Sequence, residues 1–502
     1  MSTSDKSHLN PRKSAKPLLA YYNPQYINTV DFRPPSLPQR RLRDSNIYDV
    51  VEPPQRVPLE PPLPTRKAKT PAKARNMCRG LLWVFPLVYT QFWTAAGCAV
   101  AQHFFPTLTA SKGVEEWKNA YVYTAFTGAM LIASVMADKL MVCMTPAKVF
   151  ICSQAGIILC IILFGSLHWS PGGDVITGIA ISGAAIGGVV LAFYLISMYT
   201  ITTDCCKNSA GICISVMLCL WKLGYVVGPT LGEALVKLWM YPLPFFVIGG
   251  ILFFSFLLTA VRGPVPQPHD RRTAIDLSLD EVFAKEDRYR KAFLDSYFLI
   301  AMVTAMMSAT VVAFTETTLR EHLLSYNLTS TDLERTFTVQ TACYIIGALT
   351  VGVLSFFAME ETCMFFGTAF AVVAYVFAGP VPTIHIGPAL WQAYLCQACI
   401  GLSTSAMFVA SFSHAIERLS DLQYVDTTRT TGFVSSVVFT FLSIGGISIP
   451  PLAQYLVHTF GYRLGSVPLL GTLALWLVVL FVMWVWTLRR SCRRGEPMQA
   501  NP

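Results

Sequence analysis

The chain has 502 residues, of which 53% are hydrophobic and only 13% are charged, and its mean hydropathy is +0.49. A soluble domain carries about 25% charged residues, so the composition excludes an ordinary soluble enzyme and predicts an all-α integral membrane protein. The net charge of +9 belongs to the first 80 residues, which hold 15 Lys and Arg against 6 Asp and Glu. The remainder is neutral, and nothing in it indicates nucleic acid as a partner.

Residues 1–76 are rich in proline and in basic residues. They hold too few clustered apolar residues to form a core, so we predict a disordered cytosolic tail. Two stretches in it, Asn23–Tyr26 and Tyr48–Val51, resemble the short tyrosine signals that endocytic adaptors bind. The alternative is a chance match, because four-residue patterns arise easily.

Twelve apolar segments follow, each close to the about 20 residues that a helix needs to cross a bilayer. A polar interval at 262–291 divides them into a six-helix half at 77–261 and a second at 292–488, with a basic cytosolic tail at 489–502. Within the interval, Ser278-Leu-Asp-Glu281 has capping-box spacing and predicts a short helix, which lies on the cytosolic membrane surface or, alternatively, is a solvated linker helix. The predicted spans are 81–108, 120–137, 147–168, 175–203, 210–238, 242–261, 292–319, 336–358, 362–379, 388–418, 429–458 and 464–488.

Basic residues next to the spans indicate the orientation of the chain in the membrane. Lys73 and Arg75 precede the first span, and Arg489 and Arg490 follow the last, which predicts that both termini are cytosolic. The sequon at Asn327 falls in a predicted outer loop and predicts glycosylation there. We therefore expect a multi-pass protein of a vesicular, endosomal or plasma membrane.

Span five carries a regular pattern of small residues, Gly224-Tyr-Val-Val-Gly228-Pro229-Thr-Leu-Gly232. A glycine at every fourth position leaves one helix face without side chains, so that a neighbouring helix can approach closely. Pro229 removes a backbone donor from the helix interior. Such spacing in a membrane helix is often packing alone, so the pattern does not by itself establish transport.

This pattern in the fifth of twelve spans resembles the antiporter signature of drug–proton exchangers of the major facilitator superfamily. Other stretches are similar to the vesicular amine and polyamine transporters, namely Phe104-Phe105-Pro106, the segment from Cys160 to Gly165, and Thr315-Glu316-Thr-Thr-Leu. The resemblance covers roughly residues 80–488. It implies twelve transmembrane helices in two halves and a secondary transporter of an amine or polyamine, exchanged against protons without a bound cofactor.

The loop between spans two and three departs from the family pattern, in which a glycine and several basic residues hold the two halves together. Asp138 and Lys139 stand there as the gating-loop candidate, but the glycine is missing and only Lys148 follows nearby. The corresponding loop of the second half, Met359–Glu361, has no basic residue. These departures leave open a transport-inactive membrane adaptor or receptor that keeps the fold.

Charges inside a membrane are costly and therefore indicate function. Lys222 lies about 18–20 Å along span five, close to the bilayer middle. It is a candidate for binding an anionic substrate or for a proton-linked role. The alternative is a structural lysine that is held by polar groups such as Gln91 or Gln397. Glu316 lies farther out on span seven and is a candidate for an outer vestibule. Because Lys222 would repel a cation, an organic anion remains open as the substrate; no metal-ligand spacing is present.

Overall fold

The computed structural model describes residues 71–205, 209–262, 289, 291–324, 330–378, 390–422, 424 and 427–494. These residues form twelve long helices, which confirms the predicted all-helical fold. Gly461, with a φ of 75°, interrupts the eleventh helix near its end. The helices are α1 (Pro71–Ser111), α2 (Glu116–Cys143), α3 (Pro146–Ser166), α4 (Asp174–Cys205), α5 (Ala210–Leu238), α6 (Leu243–Arg262), α7 (Ser296–Leu324), α8 (Ser330–Ser355), α9 (Glu360–Ala378), α10 (Leu390–Asp421), α11 (Thr427–Gly465) and α12 (Val467–Arg494).

Eleven of the described helices are long and apolar enough to cross a membrane, and α1 is the twelfth helix. With 41 residues, α1 is about 60 Å long, twice the thickness of a hydrocarbon core. It begins at Pro71, so the predicted tail at 1–76 ends in helix, and α12 likewise continues into the predicted tail at 489–502. Residues 1–70, most of the predicted surface helix after Ser278 and the sequon at Asn327 lie outside the described residues.

The helices pack as two six-helix groups, as the sequence predicts. In the N-terminal half α1 packs on α5 and α6, α2 on α4, and α3 on α4 and α6. In the C-terminal half α7 packs on α10 and α11, α8 and α9 on α10, and α9 on α12. Because apolar contacts alone are weakly directional in lipid, buried polar contacts help to fix these neighbours. The Thr259 hydroxyl, for example, donates to Gln154 Oε1 at 3.0 Å and ties α6 to α3.

The glycines of span five lie along the contact between α5 and α1. Gly224, Gly228 and Gly232 are all buried. A Cβ atom on Gly228 would stand 2.6 Å from the Ala96 carbonyl oxygen, and one on Gly224 would overlap a carbonyl of α1 as well. Only glycine permits the two backbones to approach this closely. Pro229 lies within α5 next to this contact.

Candidate functional site

An ion pair joins the two halves at one end of the bundle, which we call the termini end because α1 begins and α12 ends there. Arg429, at the start of α11, donates from Nη2 to Asp138 Oδ2 at 3.0 Å and from Nη1 to the Asp138 carbonyl at 2.9 Å. The two side chains are only 19% and 23% exposed. The sequence-predicted Asp138 therefore contacts the opposite half, whereas its neighbour Lys139 is exposed and forms no ion pair with the other described residues.

Hydrogen bonds extend this contact along the same two helices, which we call the α2–α11 seam. The Ser436 hydroxyl donates to the Ser134 carbonyl at 2.7 Å, and the Thr440 hydroxyl donates to Ser134 Oγ at 3.1 Å. Beside the ion pair, the Thr428 hydroxyl donates to Asp204 Oδ2 at 2.8 Å. The start of α11 is thus bonded to the ends of both α2 and α4.

Buried aromatic rings close the passage on the inner side of these polar contacts. The Tyr199 ring of the N-terminal half lies 5.6 Å from Phe412 and 5.5 Å from Phe439 of the C-terminal half, measured between ring centroids. All three residues are buried. Large rings packed across the interface exclude solvent from this layer of it.

A second contact between the halves runs along α5 and α8, which we call the α5–α8 seam. Its contacts are mostly between small or neutral groups: Cys219 Sγ lies 3.6 Å from the Ile345 carbonyl, and Gly352 faces Ser215. An acid lies behind the termini end of this seam. Glu360 is 4% exposed and accepts a hydrogen bond of 3.3 Å from the Ser413 hydroxyl.

A further ion pair at the termini end lies entirely within the C-terminal half. Arg418 of α10 donates from Nε and Nη2 to the two carboxylate oxygens of Asp295, each at 2.9 Å. Asp295 precedes α7, and its hydrogen bonds from Arg418 hold the pKa of its carboxyl below the usual value. The guanidinium also lies 4.8 Å from the centroid of the Tyr297 ring. This pair stabilises one half and does not cross between them.

The other end of the bundle, which we call the opposite end, differs from the termini end. Two ion pairs of this end lie within the N-terminal half: His103 and Glu233 are 3.8 Å apart, and Lys118 and Asp174 are 2.7 Å apart. Among the bonds that described residues form with one another, none joins the halves at this end. The extensive contacts between halves are those of α2 with α11, α5 with α8, α4 with α11 and α5 with α10. The contacts between the halves that can be placed along these helices, such as Asp138 with Arg429 and Cys219 with Ile345, lie at the termini end and at mid-depth.

Charged and aromatic side chains meet midway along the α5–α8 seam. Lys222 Nζ lies 4.9 Å from the centroid of the Tyr344 ring and 6.0 Å from that of Tyr225. The Tyr225 hydroxyl hydrogen-bonds to Gln102 Oε1 of α1. Glu316 of α7 is exposed and is near enough to Tyr225 to interact with it electrostatically. The structure thus brings Lys222 to two tyrosines, one from each half, and Glu316 toward Tyr225.

The two glutamines named as candidate partners of Lys222 have other surroundings. Gln91 is fully buried; its Nε2 donates to the Met217 carbonyl at 3.3 Å, and its Oε1 accepts from the Tyr194 hydroxyl at 3.2 Å. It therefore ties α1 to α4 and α5. Gln397 is also fully buried, but neither polar atom of its side chain has a hydrogen-bond partner among the described residues. Neither glutamine bonds to Lys222 in this part of the chain.

Two six-helix halves that are bonded to each other at one end of their interface, with charged side chains along it, are typical of a membrane transporter built of two bundles. Residues 82–424 match the family model of the Major Facilitator Superfamily. The chain belongs to this superfamily.

Its curated relatives include transporters of the same kind. The MFS-type transporter SLC18B1 of Rattus norvegicus is 22% identical over 398 residues, which cover 77% of this chain and 84% of the rat protein. The same transporter from Homo sapiens is 22% identical over 363 residues, covering 72% of this chain and 76% of the human protein.

Solved structures show the same fold. The transporter FucP in its outward conformation has a TM-score of 0.62 at 14% identity. A bacterial homologue of the iron transporter ferroportin, in an outward-facing state, has a TM-score of 0.61 at 15% identity. Each comparison covers 80% of this chain and 98% of the solved chain.

Proposed function

We propose that this protein is a secondary active transporter that moves a small organic solute by alternating access of a central site to the two sides of a membrane. The observation that carries the proposal is the unequal interface: Asp138 and Arg429 form an ion pair between the halves at the termini end, whereas no such pair joins the halves among the described residues of the opposite end. An ion pair with few hydrogen bonds can break and re-form as two halves rock about a fixed site.

The termini end is proposed to face the cytosol, because Lys and Arg flank the first and last spans. In that orientation the opposite end faces the outside or an organelle lumen. The membrane is proposed to be vesicular, endosomal or plasma membrane, and residues 1–70 could there contact endocytic adaptors.

The proposed exchange partner is the proton, and the resemblance to vesicular transporters favours an amine or polyamine as the solute. Glu316 is the candidate for the proton-linked group, since it is an exposed carboxylate of α7, in the half opposite to that of Lys222. A carboxylate can release a proton when a cationic solute binds and take it up again when the solute leaves. The proton gradient then supplies the driving force without a bound cofactor.

The hypothesis of a transport-inactive adaptor loses part of its support. It rested on a loop after span two that lacks the family's basic residues. In the structure, however, Asp138 is paired with a basic residue of the other half, Arg429 of α11. An intact, reversible closing contact is expected of a moving transporter and is not needed in a rigid receptor.

The proposal is tested with purified protein in liposomes whose interior is made acidic. Uptake of radiolabelled amines, polyamines, amino acids and organic anions is measured with and without a protonophore. Glu316→Gln should abolish the dependence on the gradient, while Glu233→Gln, which removes an exposed acid near the same end, should retain it. Absence of protein-dependent flux for the whole panel would contradict the proposal.

A further inference from the structure

A buried tyrosine from the polar interval between the halves lies against the ion pair that joins them. Tyr289 is 6% exposed, although both of its neighbours in the sequence are arginines. Its ring centroid lies 5.4 Å from Arg429 Cζ, the central carbon of the guanidinium. The same guanidinium donates two hydrogen bonds to Asp138. It therefore lies between an aromatic ring and a carboxylate of the other half.

The position of the Tyr289 ring is fixed by contacts with the C-terminal half. Its hydroxyl lies 3.2 Å from Oγ1 of Thr430, the residue after Arg429. Its ring centroid lies 5.1 Å from that of Phe433 and 5.2 Å from that of Tyr424. These partners belong to α11 or to the residues just before it. We therefore expect the ring to stay with Arg429 when the halves rock.

Two further rings extend this packing to the start of α7. The Phe433 ring lies 5.9 Å from Phe293 and 6.2 Å from Phe298, measured between centroids. Phe298 is fully buried. The start of α11 is thus packed on the start of α7 within one half, and Tyr289 connects this packing to the charged contact between the halves.

An aromatic ring beside the guanidinium favours its pairing with Asp138 for two reasons. The negative face of the ring attracts the cation, and this attraction is stronger where water is excluded. Arg429 is only 19% exposed while it is paired, and it regains water when the halves part. The ring also restricts the rotamers of a long side chain, which lowers the entropy lost when the pair re-forms.

We propose that Tyr289 is a positioning residue of the closing contact, the ion pair of Asp138 with Arg429: its ring holds the guanidinium in the orientation that reaches the carboxylate. The segment between the halves thereby takes part in closing the termini end, besides connecting α6 to α7. Only the consequence for transport rests on the proposed function. The Tyr289 hydroxyl has a lesser role, because its partner Thr430 belongs to the half that moves with it.

Hydrogen–deuterium exchange of the full-length protein in lipid nanodiscs tests this role. Amides of residues 134–143, on the α2 side of the contact, report how often the ion pair opens. Tyr289→Leu should speed their exchange about three- to tenfold, since it removes the attraction of the ring for the cation. Tyr289→Phe keeps the ring and should exchange at the wild-type rate.

The matched control is Phe293→Leu, which removes another ring of the same cluster. Phe293 packs on Phe433 and Phe298 and makes no ring contact with Arg429 among the described residues. This variant should leave the exchange of residues 134–143 unchanged.

Two further measurements separate positioning from a merely structural role. Replacing Tyr289 by 3,4,5-trifluorophenylalanine keeps a ring of similar shape but withdraws electrons from its face, so this variant should exchange faster than Tyr289→Phe. In the Arg429→Gln background, Tyr289→Leu should add no further increase, because the interaction is already lost. A structural ring would give equal exchange for the two aromatic variants and the same increase in both backgrounds.

The inference is overturned if Tyr289→Leu leaves the exchange of residues 134–143 unchanged, if Phe293→Leu speeds it equally, or if Tyr289→Leu adds its full effect to Arg429→Gln. Where Tyr289→Leu does not fold, equal exchange of the two aromatic variants overturns it. The exchange measurement needs no substrate. Absence of flux for the whole solute panel would therefore contradict the proposed function and leave the role of Tyr289 to be decided by exchange.

Discussion

Replacing Arg429 by glutamine is expected to open the termini end. Its guanidinium donates two hydrogen bonds to Asp138, and the two side chains are 19% and 23% exposed. Hydrogen bonds to charged groups contribute about 1.5–3 kcal/mol, but both groups regain water when the halves part, so about 1–2 kcal/mol is expected for opening. At 1.4 kcal/mol per factor of ten, the ratio of open to closed molecules at this end should rise about five- to thirtyfold.

Hydrogen–deuterium exchange of the protein in lipid nanodiscs measures this opening directly. Amides of residues 134–143 and 427–436, at the termini end of the α2–α11 seam, should exchange faster in the Arg429→Gln variant, because that contact is open for more of the time. Asp138→Asn should have a similar effect. The double variant should exchange little faster than either single variant, since both remove the same interaction.

Arg418→Gln is the matched control, because it breaks an ion pair at the same end that stays within the C-terminal half. The Asp295–Arg418 side chains are 18% and 29% exposed, close to those of the inter-half pair. This variant should speed exchange near the start of α7 and leave residues 134–143 unchanged. Unchanged exchange in Arg429→Gln, equal opening in Arg418→Gln, or full additivity of the double variant would refute the reasoning.

Three further predictions concern stability, measured as the thermal unfolding temperature in detergent. Gly228→Leu should lower it sharply or prevent folding, since overpacking costs about 1–3 kcal/mol or more, whereas Gly250→Leu, where a Cβ meets no atom within 4 Å, should change it little. The ionised carboxyl of Asp295, whose pKa is lowered by Arg418, should stabilise the fold above pH about 4, the usual aspartate value. This stabilisation should be lost as the pH falls through the lowered pKa, and Asp295→Asn should remove the pH dependence. Gln397→Leu should raise the unfolding temperature, because it removes a buried amide without a partner among the described residues; a lower temperature would indicate that an unseen group bonds to it.

The helices could be predicted from the sequence because their signals are local. A run of about 20 apolar residues must satisfy its backbone within itself in lipid, so each run implies a helix. The prediction of 210–238 for α5 coincides with the helix Ala210–Leu238. The ends of α1 and α12 were less predictable, since a helix can continue beyond the membrane into polar sequence, where hydropathy carries no signal.

The closing contact could not be predicted in the same way because its two residues are 291 positions apart. The family pattern predicts basic residues in the same loop as Asp138. In the structure the basic partner of Asp138 is Arg429, which belongs to the other half. Gln91 and Gln397 illustrate the same limit. Each is a single amide in an apolar run, and only the fold places Tyr194 and the Met217 carbonyl beside Gln91.

The two seams carry different kinds of contact, and the proposed transport requires both. The α2–α11 seam carries the ion pair of Asp138 with Arg429, whereas Lys222 and Tyr344 face each other midway along the α5–α8 seam. A ligand shifts a conformational equilibrium only by as much as its affinity differs between the states. A solute held between Lys222 and Tyr344 contacts both halves, so its affinity must change when the α5–α8 seam opens. The affinity of a solute bound to one half alone would not change in this way. We therefore expect Lys222 to link solute binding to the breaking of the ion pair between Asp138 and Arg429.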